Sequence, residues 1–252
     1  MFARKSVQIS PHTPWFAAVR TALSPMSGVT DRAFRDICRD FGAGIAFCEF
    51  TAAKGLTYGS EKTWSLIDTE GEQAPVGVQI FGNEPEHMAG AARMMRNRRL
   101  DVLDINFGCP AKKVVRKCGG SALLADVPLL IEVTRAVVAD SPVPVSAKIR
   151  TGWDEESVNY REVGLALQEA GCVWVTIHGR TRAQKFSGRA DWERIADLVE
   201  TLAIPGGGDG DGVAGRSYAG LGRPTRCHAG VGGRGAIGNP WPFPRGRPGR
   251  GP

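Results

Sequence analysis

Cys109 is the side chain with the clearest chemical potential. It stands in the run Asp104-Ile105-Asn106-Phe107-Gly108-Cys109-Pro110, just ahead of a basic group, Lys112, Lys113, Arg116 and Lys117. Val102 and Ile105 alternate with polar positions as far as Asn106, so the spacing predicts a buried strand that stops at a Gly-Cys-Pro turn. Pro110 restricts the exit direction of the chain and so places the thiol. A thiol in that position can act as an acid or a nucleophile; the other fate of a free cysteine is an inert, buried apolar side chain. Gln79, Lys148 and His178 fall near or at the ends of other apolar runs, Pro75–Ile80, Val143–Lys148 and Val173–His178. Each also has an ordinary reading, as a satisfied buried amide, a surface lysine and a structural histidine.

The elements that must carry these residues alternate regularly. Strands are expected at Thr21–Leu23, Gly44–Phe47, Pro75–Ile80, Val102–Asn106, Val143–Lys148 and Val173–His178, with Ile204–Gly208 and Ala229–Gly232 as the seventh and eighth. Between them lie amphipathic helices. Thr30 is expected to cap one with Phe34, Ile37, Cys38 and Phe41 on its apolar face, closed by Gly42; Asn83, Asp126 and Asp191 precede three more. Eight such units make a (β/α)8 TIM barrel, in which chemistry gathers at the carboxyl ends of the strands, where Gln79, Asn106, Cys109, Lys148 and His178 all fall. An open doubly wound sheet would need a glycine-rich first turn, which is missing.

Composition narrows the classes. No apolar run is long enough to span a bilayer, and Met1 to Pro14 lacks an apolar leader, so a cytoplasmic protein with no membrane partner is expected. Six cysteines without a C-x-x-C pair argue against a zinc site or a disulfide framework, and no metal is expected. The net charge of +6 is concentrated from Pro205 onward, where seven arginines face two acids; the first 204 residues carry +1. That last segment also holds 16 of the 33 glycines and seven of the 16 prolines. It lacks the amphipathic helix expected between Gly212 and Gly232, and its composition resembles disorder or a shifted reading frame. The barrel is therefore expected over 1–241, atypical over 205–232, with 242–252 a disordered Pro/Gly/Arg tail. Gly233 to Gly238 spells G-x-G-x-x-G, but no βαβ unit fits around it.

With these residues placed, the chain resembles the tRNA-dihydrouridine synthase family, in its bacterial B-type branch. The matching segments are Leu23 to Asp31, Val78-Gln79, Asp104 to Lys113, Lys148 to Trp153 and His178 to Arg182. The resemblance implies an FMN-dependent barrel that uses NADPH to reduce the C5=C6 bond of tRNA uridines, followed by a helical domain that grips the tRNA. It implies that Cys109 gives a proton to uracil C5 while hydride passes from flavin N5 to C6. Pro25, Met26 and Ser27 would meet the flavin ring, Gln79 its edge, and Lys148 its N1 and O2. His178 would be a flavin or phosphate ligand. The phosphate would sit at Asp209, Gly210 and Asp211, where the family has asparagine at the first position, and at Gly233 and Arg234. Asn106, Arg150 and Arg180 would face the substrate. The helical domain is not recognisable beyond Trp241, and a monomer is expected. Two further readings stand beside this one: another FMN barrel reducing a free pyrimidine or enone, and an inactive truncated product. In the last case the missing helix would open the barrel seam and leave its flanking strands unpaired.

Overall fold

The computed structural model describes residues 18–211, 225–241 and 243. Nine parallel strands run in chain order: β1 (Thr21–Leu23), β2 (Ile45–Phe47), β3 (Thr51–Ala52), β4 (Val76–Phe81), β5 (Val102–Asn106), β6 (Val145–Arg150), β7 (Trp174–His178), β8 (Gly206–Asp209) and β9 (Ala229–Gly232). Each pairs with its sequence neighbour from β4 to β9. β9 then pairs with β1, β1 with β2, and β2 with β4, so eight strands close a barrel and the two-residue β3 hangs on β4. Helices α1 (Arg32–Asp40), α2 (Ala53–Thr57), α3 (Glu61–Ser65), α4 (Pro85–Met94), α5 (Lys112–Val115), α6 (Val127–Asp140), α7 (Tyr160–Glu169) and α8 (Trp192–Thr201) accompany them. The largest apolar cluster lies between sheet and helices, joining Val78, Ile80, Ile105 and Ile149 to Met88, Leu130 and Leu198.

The seam is closed, contrary to the expectation that it would open. β9 pairs with β8 through Gly207↔Ala229 and with β1 through Thr21↔Gly230. The reason lies in the glycines of β8. A Cβ on Gly206 would come within 2.7 Å of Val199, and one on Gly207 within 2.8 Å of both Trp174 and Thr176. Helix α8 and the interior Trp174 therefore pack directly on the backbone, so a sequence of poor intrinsic strand propensity is held by its ladders and neighbours. The stretch Gly212 to Gly232, expected to lack its linking helix, lies largely at 212–224, outside the described residues. So does most of the 242–252 tail, but Phe243 is buried with Leu23, Cys38 and Ala236 and belongs to the core.

Two helix starts differ from expectation. Asp31, not Thr30, caps α1 by accepting from the N–H of Phe34 at 2.8 Å; Thr30 instead bonds both the N–H and the carbonyl of Met26. α4 begins after Glu84 with Pro85 in its first turn, and its cap makes no side-chain bond. Asp126 and Asp191 do cap α6 and α8. The buried face of α1 is also rotated from the expected one. Ile37 is exposed, and Arg35 points inward, where Glu72 takes its guanidinium in a two-point ion pair and the carbonyls of Thr30 and Asp68 satisfy the rest. A buried charge is tolerable only with such complete pairing. Among the described residues no helix is long and apolar enough to cross a membrane.

Candidate active site

The carboxyl ends of the strands surround one cavity of about 710 Å³, within the range of small-molecule and cofactor sites. Fourteen of the fifteen residues expected at the site line it: Pro25, Met26, Ser27, Gln79, Asn106, Cys109, Lys148, Arg150, His178, Asp209, Gly210, Asp211, Gly233 and Arg234.

 The exception is Arg180. Its guanidinium is 2 % exposed and is spent on the carbonyls of Ser187 and Gly188, on His178 and on Asp211. Arg180 thus acts on the site through His178 and Asp211 and does not face the cavity, which corrects its expected contact with substrate. Its neighbours explain why: the loop after β7 folds back over it and needs its donors.

The turn that carries Cys109 is built from β5. Asn106, at the strand's last position, accepts through Oδ1 from the N–H of Gly108 at 3.0 Å and of Cys109 at 2.8 Å. On the other side Ser121 donates its hydroxyl to the Cys109 carbonyl at 2.8 Å. The backbone of Cys109 is pinned at both ends, which leaves its half-buried Sγ as the group that faces the cavity. Burial raises the thiol above its ordinary range, and Arg150, Lys113 and Lys148 oppose that only in part. That shift favours the protonated thiol.

A second cluster lies across the mouth. Lys148 on β6 is ion-paired with Asp209 at the end of β8, and His178 Nδ1 lies 3.2 Å from the same carboxylate oxygen. Burial works to raise the Asp209 carboxyl, but Lys148 and His178 outweigh it and hold it well below the usual carboxylate range. Burial lowers the His178 imidazole, and the neighbouring Asp209 opposes that in part. Asp211 accepts from Arg180 at 2.5 Å and from the N–H of Ala190 at 2.7 Å, tying the β8 loop to the β7 loop. Arg150 donates to the carbonyls of Gly108, Thr181 and Lys185, and burial lowers it to about 10.

Two contributors were not singled out from sequence. Phe186 lines the mouth with the Arg234 guanidinium 4.1 Å from its ring centroid and that of Arg150 at 5.5 Å; a lone aromatic in a loop carries no spacing signal. Asp104 lies under the cavity, bonded to Gln79 and Ser146. Its signal was available, since positions 104 and 106 of one strand share a face.

The residues present fit a flavin nucleotide. The cavity joins an apolar wall at Pro25, Met26 and Phe50 to polar groups at Gln79, Asn106 and Lys148. At its far side a Cβ on Gly233 would stand 3.6 Å from Met26 and Ser24, so the bare glycine leaves that corner open beside the cationic Arg234. Among the described residues no group of three or more His, Cys, Asp or Glu could hold a metal ion.

Comparison with known proteins agrees with this geometry. The family model described as "Dihydrouridine synthase (Dus)" matches residues 22–247. The chain is 40 % identical over 237 residues to tRNA-dihydrouridine synthase B of Xanthomonas campestris pv. campestris, covering 94 % of this chain and 70 % of that protein. The same figures hold for tRNA-dihydrouridine synthase B of Pseudomonas aeruginosa. A probable tRNA-dihydrouridine synthase of Rhizobium leguminosarum bv. phaseoli is 39 % identical, over 88 % of this chain and 70 % of its own length. Among solved structures, histamine dehydrogenase from Rhizobium sp. 4-9 superposes with a TM-score of 0.61 at 12 % identity. That match covers 88 % of this chain but only 45 % of the dehydrogenase, and it speaks to the barrel fold alone. The fold, the site and the extent of these matches lead to one assignment: the chain belongs to the dihydrouridine synthase family, with the bacterial B-type members.

Proposed function

We propose that this protein reduces uridine in tRNA to 5,6-dihydrouridine, with FMN held in the barrel mouth and NADPH as the source of electrons. The observation that carries this reading is the Cys109 thiol, its backbone fixed by Asn106 and Ser121 in the same cavity as Gln79 and Lys148. When bound, the flavin supplies a hydride for C6 of the uracil ring. Cys109 supplies the proton for C5, so the double bond gains two hydrogens and the thiol is left as a thiolate to be reprotonated from solvent. Gln79 would hold the flavin edge. Lys148 offers a cation against which negative charge on a reduced ring is stabilised. Arg234, with the backbone of Gly210 and the open corner at Gly233, would hold the phosphate. Asn106 and Arg150 lie on the Cys109 side, where the uracil would enter.

The rim of the cavity favours a nucleic-acid substrate over a free pyrimidine or enone. Lys112, Lys113, Arg116 and Lys117 are all exposed beside Cys109, and they are the kind of surface that neutralises backbone phosphates. A small neutral substrate has no use for that charge. The test is to load the purified protein with FMN, supply NADPH, and compare tRNA lacking dihydrouridine with free uracil. Uridines in tRNA should gain two mass units while free uracil is unchanged; turnover of uracil alone would sink the reading.

A further inference from the structure

A continuous hydrogen-bonded chain crosses the floor of the cavity from β6 to the Cys109 turn. Ser146 Oγ donates to Asp104 Oδ1 at 2.5 Å, and Gln79 Nε2 donates to Asp104 Oδ2 at 2.6 Å. Asn106 Nδ2 donates to Gln79 Oε1 at 2.7 Å, and Asn106 Oδ1 accepts from the amides of Gly108 and Cys109. All four side chains are buried, Gln79 completely. They lie in register, Gln79 opposite Asp104 and Asp104 opposite Ser146, so the ladders of β4, β5 and β6 hold the chain in line.

The direction of this chain follows from its ends. A carboxylate can only accept, and backbone amides can only donate. Between them each amide side chain has one consistent orientation: Gln79 must turn its NH2 to Asp104, and Asn106 must turn its carbonyl to the Cys109 turn. Gln79 Nε2 carries a second hydrogen, and Gln79 lines the cavity. With Asp104 in place, Gln79 therefore offers the cavity a donor.

We propose that Asp104 is a positioning residue: it orients Gln79 so that this amide presents an N–H to an acceptor atom of the bound cofactor, and through Asn106 it steadies the turn that aims Cys109. The proposal rests on the flavin and proton-donor reading above for its effect on turnover, but not for its effect on the thiol. Lys148, from β6, also acts on this carboxylate, and its charge works to lower it. Without Asp104 a buried N–H loses its acceptor, and Gln79 is held only by the bond from Asn106 Nδ2.

The experiment compares Asp104→Leu with Asp104→Asn in the flavin-loaded protein. Asparagine can accept from Gln79 through Oδ1 and donate to Ser146, so it preserves the chain; leucine cannot. Asp104→Leu should lower kcat by roughly ten-fold or more with KM for tRNA little changed, the scale of one lost bond to a charged group. It should also shift the visible absorption of the bound flavin and change the alkylation rate of Cys109, followed by peptide mass spectrometry. Asp104→Asn should restore all three. A folded leucine variant with wild-type thiol reactivity, spectrum and kcat would reduce Asp104 to a barrel filler. Failure of asparagine to rescue would assign the effect to charge and overturn the proposal. If the leucine variant does not fold, the wild-type protein with 15N-labelled glutamine side chains gives the answer: the Gln79 NH2 should be protected from exchange, and rapid exchange would refute the proposal. Thiol alkylation and the NMR signal need neither flavin nor turnover. Absence of flavin binding or dihydrouridine would therefore count against the proposed function and leave Asp104 separately tested.

Discussion

Lys148 on β6, the strand next to the one that carries the Cys109 turn, forms a largely buried ion pair with Asp209 on β8 in the mouth of the barrel. The lysine that would face a reduced flavin is thus partly neutralised by this chain's own carboxylate. A unit charge about 4 Å away is worth at most about 4 kcal/mol at an effective dielectric of 20. Asp209→Asn should therefore tighten FMN binding and raise the flavin's midpoint potential, read by fluorescence titration and by spectroelectrochemistry. Unchanged affinity and potential would show that the pair is electrostatically silent.

The basic rim gives a second prediction. Arg116 and Lys117 are exposed and lie outside the cavity lining. Replacing both with alanine should weaken tRNA binding and flatten its salt dependence by roughly one and a half to two units of log–log slope, as expected for two phosphate contacts. Flavin content should not change. A tRNA affinity with the wild-type salt slope would move the RNA path elsewhere.

Burial raises the Asp104 carboxyl to about 6, against the bonds from Gln79 and Ser146. Its value in an unfolded chain is about 3.9. A raised folded value means that this group's contribution to stability is fully present below about pH 3.9 and is lost as the pH rises through 6. Asp104→Asn should accordingly raise Tm at pH 8, by up to roughly 2–3 kcal/mol of stability, and the gain should fade toward pH 4. Thermal melts of both proteins across that window measure it; a gain independent of pH would contradict the assigned titration.

Much of this was legible in the sequence because strand ends and turn residues are local signals. Asp104 to Pro110 marks β5, its final Asn106 and the thiol turn without any tertiary information, and the apolar runs place Lys148 and His178 at the mouth. What was not legible depended on distant contacts. The closure of β8 rests on Trp174, Val199 and Thr176 filling the space beside bare glycines, which composition alone makes look like a loop. The inward turn of Arg35 depends on Glu72, 37 positions away. Arg180 reads as a surface donor until the loop through Ser187 and Gly188 folds over it.

The central claim is that Cys109 is the proton donor of an FMN-dependent reduction of tRNA uridine. The direct measurement is dihydrouridine formed per flavin by mass spectrometry, in wild type and Cys109→Ala, alongside the rate at which NADPH reduces the bound flavin. The alanine variant is expected to bind flavin and to be reduced by NADPH as before, while dihydrouridine formation falls by roughly 10²–10⁴-fold. Dihydrouridine formed by the alanine variant at the wild-type rate would contradict it.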